Sequence, residues 1–135
     1  MDMNIQMFMY LNKGELAKII ANYFGVKKVT SFKVKEVQES SVDGVGFVCA
    51  SYYQKKNVIT VNRIAWNMLT NYEQFATIIH EMIHVYQHKY ELCDFDYVKK
   101  YDERPQEIHA DKHTKAILNM MGLEEVEESF FECDR

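Results

Sequence analysis

The chain has 135 residues, 47% of them hydrophobic and 27% charged, the balance of one globular domain running from 1 to 135. One proline, five glycines and 13% aromatics exclude a low-complexity tether, and no run approaches the roughly 18 apolar residues of a membrane helix. The formal charge of −4 has the wrong sign for a general nucleic-acid coat, yet it is unevenly spread, +3 over residues 1–62 and −7 over 63–135.

Residues 1–10 alternate methionine and polar side chains loosely, as a strand or an extended arm does. The opening Met1-Asp2-Met3-Asn4-Ile5-Gln6 has no basic start and no clean apolar run, so it does not read as a secretory signal, and the cytoplasm is the expected location. In that setting Cys49, Cys93 and Cys133 are expected as free thiols, and their wide spacing excludes a CxxC zinc knuckle. Residues 12–25 read as a helix, with Asn12 as cap, Glu15 in the reciprocal capping position, and Leu16, Ile19, Ile20, Tyr23 and Phe24 at helical spacing before Gly25.

Strands are expected over 28–37, 44–53 and 57–62. The second is apolar on both faces, as a central strand would be, and the polar connector Gln54-Lys55-Lys56 makes a hairpin of the second and third. The sum is a small antiparallel sheet. Lys27, Lys28, Lys33, Lys35, Lys55 and Lys56 hold the basic excess, either as a solvated sheet face or as a weak phosphate-contacting surface.

Residues 63–69 suggest a short helical turn. Thr70-Asn71-Tyr72-Glu73 is a capping box that opens a helix running to about Tyr90. A polar, aromatic-bearing connection covers 91–104. Pro105 suits a first helical position, and a second long helix spans about 106–121, ending at Gly122. The tail from about 123 to 135 is acidic and reads as a solvated or frayed end, with Phe130 and Phe131 as apolar points that fold back.

The chemistry sits in His80-Glu81-Met82-Ile83-His84, an HExxH sequence on a predicted helix. Histidines four apart project from one face, one turn apart, so both imidazoles reach one metal ion. The glutamate between them can take a proton from metal-bound water without binding the metal. At about 100° per residue, Phe75, Ile78, Ile79, Met82 and Tyr86 fall on one side of this helix, and Thr77, His80, Glu81 and His84 on the other. A catalytic zinc normally has three protein ligands. Position 90, where one HExxH class places its third histidine, is Tyr90, and His88 lies too far along the same helix. The next helix offers Glu107 and Asp111, four apart on one face. Glu107 can ligate while Asp111 accepts the spare N–H of a liganding histidine, and His109 is the rival third ligand.

HExxH followed on a second helix by Glu107-Ile108-His109-Ala110-Asp111 resembles the gluzincins, in particular the small ImmA/IrrE-type metallopeptidases. The upstream part, Gly44 to Tyr53, Ile59-Thr60-Val61-Asn62 and Ile79-His80-Glu81-Met82-Ile83-His84, resembles the SprT-like peptidases. The SprT-like third ligand comes from an HGxxF segment, and His109-Ala110-Asp111-Lys112-His113 stands at a comparable place without the glycine or the phenylalanine. The resemblance covers about 30–122. It implies an α+β, zincin-like fold, with a small sheet packed on the HExxH helix and a second ligand-bearing helix. It also implies a phage or bacterial cytosolic source.

The expected function is a zinc-dependent metallopeptidase acting on a protein or peptide. Zinc is held by His80, His84 and Glu107, Glu81 is the general base, and the substrate is extended along the edge of the 57–62 strand. His109, His113, Arg104 and nearby tyrosines are the candidates for a donor to the developing oxyanion. The alternative is a non-catalytic zinc-binding module with a DNA- or protein-binding role through the basic sheet face.

Overall fold

The structure is a computed structural model that describes residues 4–37 and 49–124. Its first helix, α1 (Ile5–Phe24), starts at Asn4, whose side chain accepts from the Met7 N–H at 2.8 Å. Ile5, Phe8 and Met9 are buried at helical spacing, so the expected strand or arm over 1–10 is corrected to helix from Ile5 onward. Asn12 is not a cap. It lies inside the helix, and its amide donates to the Phe8 carbonyl at 2.9 Å. The stop at Gly25 is as expected: φ is +69°, the left-handed conformation that a glycine adopts without a Cβ penalty.

Three strands follow: β1 (Lys33–Val37), β2 (Ala50–Tyr53) and β3 (Val58–Asn62), in the order β1-β3-β2. The sheet is mixed and not antiparallel. A single 3-10 turn at Gln54–Lys56 folds β2 back antiparallel on β3, as the hairpin reading expects. β1 instead pairs parallel with the other edge of β3. The hairpin sets the direction of β2 locally, but β1 reaches β3 only after a long connection, and such a connection permits parallel entry. The centre of the sheet is therefore β3, whose Ile59 and Val61 are fully buried, and not the 44–53 segment. Because β1 and β2 occupy both edges of β3, the expected peptide path along 57–62 is closed.

Asn62 ends β3 and caps α2 (Arg63–Asn67), its Oδ1 accepting from Ile64 N and Ala65 N. Thr70 and Glu73 form the predicted capping box at the start of α3 (Asn71–Tyr90). Ile78, Ile79, Met82, Ile83 and Tyr86 of α3 are fully buried. The Tyr86 hydroxyl donates to Ala17 O at 2.7 Å and accepts from Val29 N at 2.9 Å, tying α3 to α1. Phe8 of α1 meets Trp66 and Phe75 edge-on, closing the core at the other end. α4 (Pro105–Met120) starts on its proline and packs along α3.

Cys93 is a free thiol, but Cys49 is disulfide-bonded, which corrects the expectation of three free thiols; sequence spacing does not report which sulfurs a fold brings together. No helix among the described residues is long and apolar enough to cross a membrane. The expected first part of the second strand (44–48) and the acidic tail beyond Glu124 lie outside the described residues.

Candidate metal centre

α3 carries His80, Glu81 and His84 on the side opposite its apolar stripe, and α4 covers that side. All three are buried, at 1%, 3% and 7% exposed, and Glu107 of α4 is 8% exposed. The histidine side is thus a packed seam between two helices, where the His84 and Glu107 side chains keep 9% and 10% of their surface and Asp111, beside His80, keeps half of its own.

Three atoms converge there. His80 Nε2 lies 2.9 Å from Glu107 Oε1, His84 Nε2 lies 3.1 Å from the same oxygen, and the two Nε2 atoms are 3.1 Å apart. Ligands on a tetrahedral zinc with bonds of about 2.0–2.1 Å stand roughly 3.3 Å from one another, so the donors need move apart only by a few tenths of an ångström. Glu107 is the third member of this group, and His109 is not.

The outer nitrogens of the two rings decide their tautomers. His84 Nδ1 is 2.7 Å from Gln87 Oε1. The amide nitrogen of Gln87 donates to the Gln106 carbonyl at 2.9 Å, and a carbonyl can only accept, so Oε1 must be the atom facing His84. His84 therefore holds its proton on Nδ1 and turns the lone pair of Nε2 toward His80 and Glu107. The same Gln87 nitrogen stands 2.8 Å from His109 Nδ1, which turns His109 away as an acceptor. His80 Nδ1 has Asp111 Oδ1 at 3.0 Å, off the line of a well-formed hydrogen bond. This is the expected carboxylate partner for a liganding histidine.

With His84 fixed, two acceptors, His84 Nε2 and Glu107 Oε1, face His80 Nε2 at about 3 Å, a meeting that a proton on His80 or a metal ion satisfies. The surrounding charges bias both rings toward the protonated form. Burial opposes the charge on His80, but the Asp111 and Glu107 carboxylates and the charge of Glu81 outweigh it and raise its pKa to about 9. Burial likewise opposes charge on His84, yet Glu107 and Glu81 raise it above the ordinary histidine range. Glu107 is pushed upward by burial and, more strongly, downward by both imidazoles, to well below the usual carboxylate range. The buried His80, His84 and Glu107 can hold a metal ion. Glu81 is outside this ligand set, though near enough for its charge to act on both rings.

Of the donors weighed from sequence, Arg104 turns outward to the carbonyls of Lys99 and Tyr97. His113 contacts the Tyr23 hydroxyl at 2.6 Å, and His109 stacks on Phe24 and meets His113 edge-on. Tyr101 lies on a 3-10 turn before α4, near enough for the acids of the site to act on it. Burial and then the charges of Glu107, Glu81 and Asp111 hold its hydroxyl far above its ordinary value, so it stays a protonated donor. His88 stacks on Phe95 at 4.3 Å and lies outside the triad, as its spacing predicts. Gln87 is the residue sequence reasoning missed. Its signal was present: three positions beyond His84, it shares the face of the ligands. No protein-family model, curated protein or solved structure matches the chain.

Proposed function

We propose that the chain is a zinc-dependent metallopeptidase, with His80, His84 and Glu107 as ligands and Glu81 as general base. The observation that carries this reading is the meeting of two imidazole nitrogens and one carboxylate oxygen at about 3 Å from each other, with a second buried acid, Glu81, beside them. Three protein ligands of mixed N/O type leave a position for water or substrate, the pattern of catalytic zinc; structural zinc prefers four ligands rich in cysteine, and neither α3 nor α4 contains a cysteine. When bound, zinc makes water nucleophilic near neutral pH and polarises a carbonyl.

The protein's own groups do the rest. Glu81 accepts the proton of the attacking water and returns it to the leaving amine. Tyr101, kept protonated by the surrounding acids, donates to the oxygen that gains charge. Asp111 and Gln87 hold the two rings in the orientation that presents Nε2. With β3 enclosed, an extended substrate runs along the outer edge of β2, which pairs with no strand among the described residues.

The test is hydrolysis of an unfolded protein by the zinc-loaded chain. Glu81→Gln should retain one zinc and lose turnover. Zinc present with no cleavage by the wild type, on any unfolded substrate, would favour the non-catalytic module.

A further inference from the structure

The sheet register places Lys35, Thr60, Val58 and Tyr53 on one face, because their partners in the ladder alternate with the buried Ile59 and Val61. That outer face forms part of a groove of about 640 Å³, which continues around the edge of β2 to Tyr52, His88 and Tyr97. Three cations line it, Lys35 from β1 and Lys55 and Lys56 from the β2–β3 turn, and among the described residues no acidic side chain does. His88 stands one helical turn beyond the ligand His84, about 6 Å along the helix axis. The groove therefore approaches the metal centre at His88, without including its ligands, and ends in positive charge.

We propose that this groove selects the substrate: it receives an extended acidic peptide segment flanking the bond to be cleaved. The inference rests on the peptidase reading and adds the substrate class to it. A strand laid along β2 sends alternate side chains to the two faces of the sheet. Side chains on the inner face lie toward His88 and the metal centre. Those on the outer face meet Lys35, Lys55 and Lys56, where carboxylates are matched and ammonium groups repelled. The outer edge of β2, unpaired among the described residues, favours a peptide, whose backbone can pair with it, over a single-stranded nucleic acid, whose backbone cannot. His88, Phe95 and Tyr97 stack on one another, at 4.3 Å and 6.5 Å between centroids, whereas Tyr53 and Tyr97 keep exposed rings on which a base could stack, so competition by an oligonucleotide is an arm of the test. The Tyr52 hydroxyl is committed to Asn57 at 2.8 Å.

The test uses fluorescein-labelled peptides of equal length with Glu, Gln or Lys at alternate positions. Binding to zinc-loaded Glu81→Gln protein is read by anisotropy, and cleavage by zinc-loaded wild type as kcat/KM. The Glu peptide should bind about tenfold more tightly than the Lys peptide, since three exposed pairs each contribute a few-fold at most, and the gap should shrink with added salt. Lys35→Glu, Lys55→Glu and Lys56→Glu together should reverse the order, and Lys35→Glu alone should narrow it. Equal affinity for the three peptides overturns the proposal, as does an oligothymidylate that outcompetes the Glu peptide. Selective binding without cleavage would leave the groove standing and remove the peptidase reading. Cleavage indifferent to charge would do the opposite.

Discussion

At the scale of single residues, the site is a problem in charge balance. Gln87 fixes His84 Nε2 as an acceptor beside the Glu107 carboxylate, so a proton on His80 or a metal ion must stand between them. Gln87→Met keeps the volume but removes both the acceptor for His84 and the donor to Gln106 and His109. It should weaken zinc binding by about 10–100-fold, read by competition with a chromophoric chelator. In the NMR spectrum of the ring nitrogens of the metal-free protein, taken at a pH above the raised titration of His84, the wild type should show that ring protonated on Nδ1 alone, and the variant a mixture of tautomers. The pH dependence of the metal-free protein has a definite sign. His80 is raised from 6.5 to about 9, so its contribution is full below about pH 6.5 and fades as pH climbs through 9. Glu107 is lowered from 4.5, so its contribution is full above that value and is lost in acid as pH falls through its depressed folded value. The melting temperature of the apoprotein should therefore be highest between about pH 5 and 7 and decline on both sides. A rise from pH 7 to 9 would refute the assignment of His80. HExxH was legible because its spacing is a property of any helix. Glu107 was separated from His109 only by the packing of α4, which turns one residue into the seam and leaves the other against Phe24.

Secondary-structure elements explain which parts of the fold could be read in advance. α3 was plain because Thr70 and Glu73 form a reciprocal cap and the apolar positions repeat at helical spacing. Thr70→Ala should cost about 1 kcal/mol of stability, measured by denaturant unfolding, with metal affinity nearly unchanged because the cap lies more than two turns from His80. The start of α1 was hidden: two asparagines compete as caps, and the methionine-rich opening has no helical signature until Ile5, Phe8 and Met9 are seen to be buried, Phe8 against Trp66 and Phe75. Sheet direction was hidden for a different reason. Alternation tells which face of a strand is buried but not which neighbour it pairs with. A parallel β1 and a central β3 follow from long-range closure that leaves no local trace.

For the molecule as a whole, the metal centre is also a clamp. His80 and His84 belong to α3 and Glu107 to α4, and each helix also packs on α1. An ion bound there links the two helices in the native state alone, so zinc at a thousandfold excess over its Kd should add about 4 kcal/mol and raise the melting temperature by roughly 10–20 °C. Chelation should reverse this, and calorimetry with and without chelator reads both changes. The most direct trial of the account is diffraction from zinc-loaded crystals at wavelengths on either side of the zinc absorption edge. The account predicts one anomalous peak per chain, within bonding distance of His80 Nε2, His84 Nε2 and a Glu107 oxygen, with Glu81 beside it but not bound. A peak elsewhere, a fourth protein ligand closing the site, or no peak at the seam would contradict it.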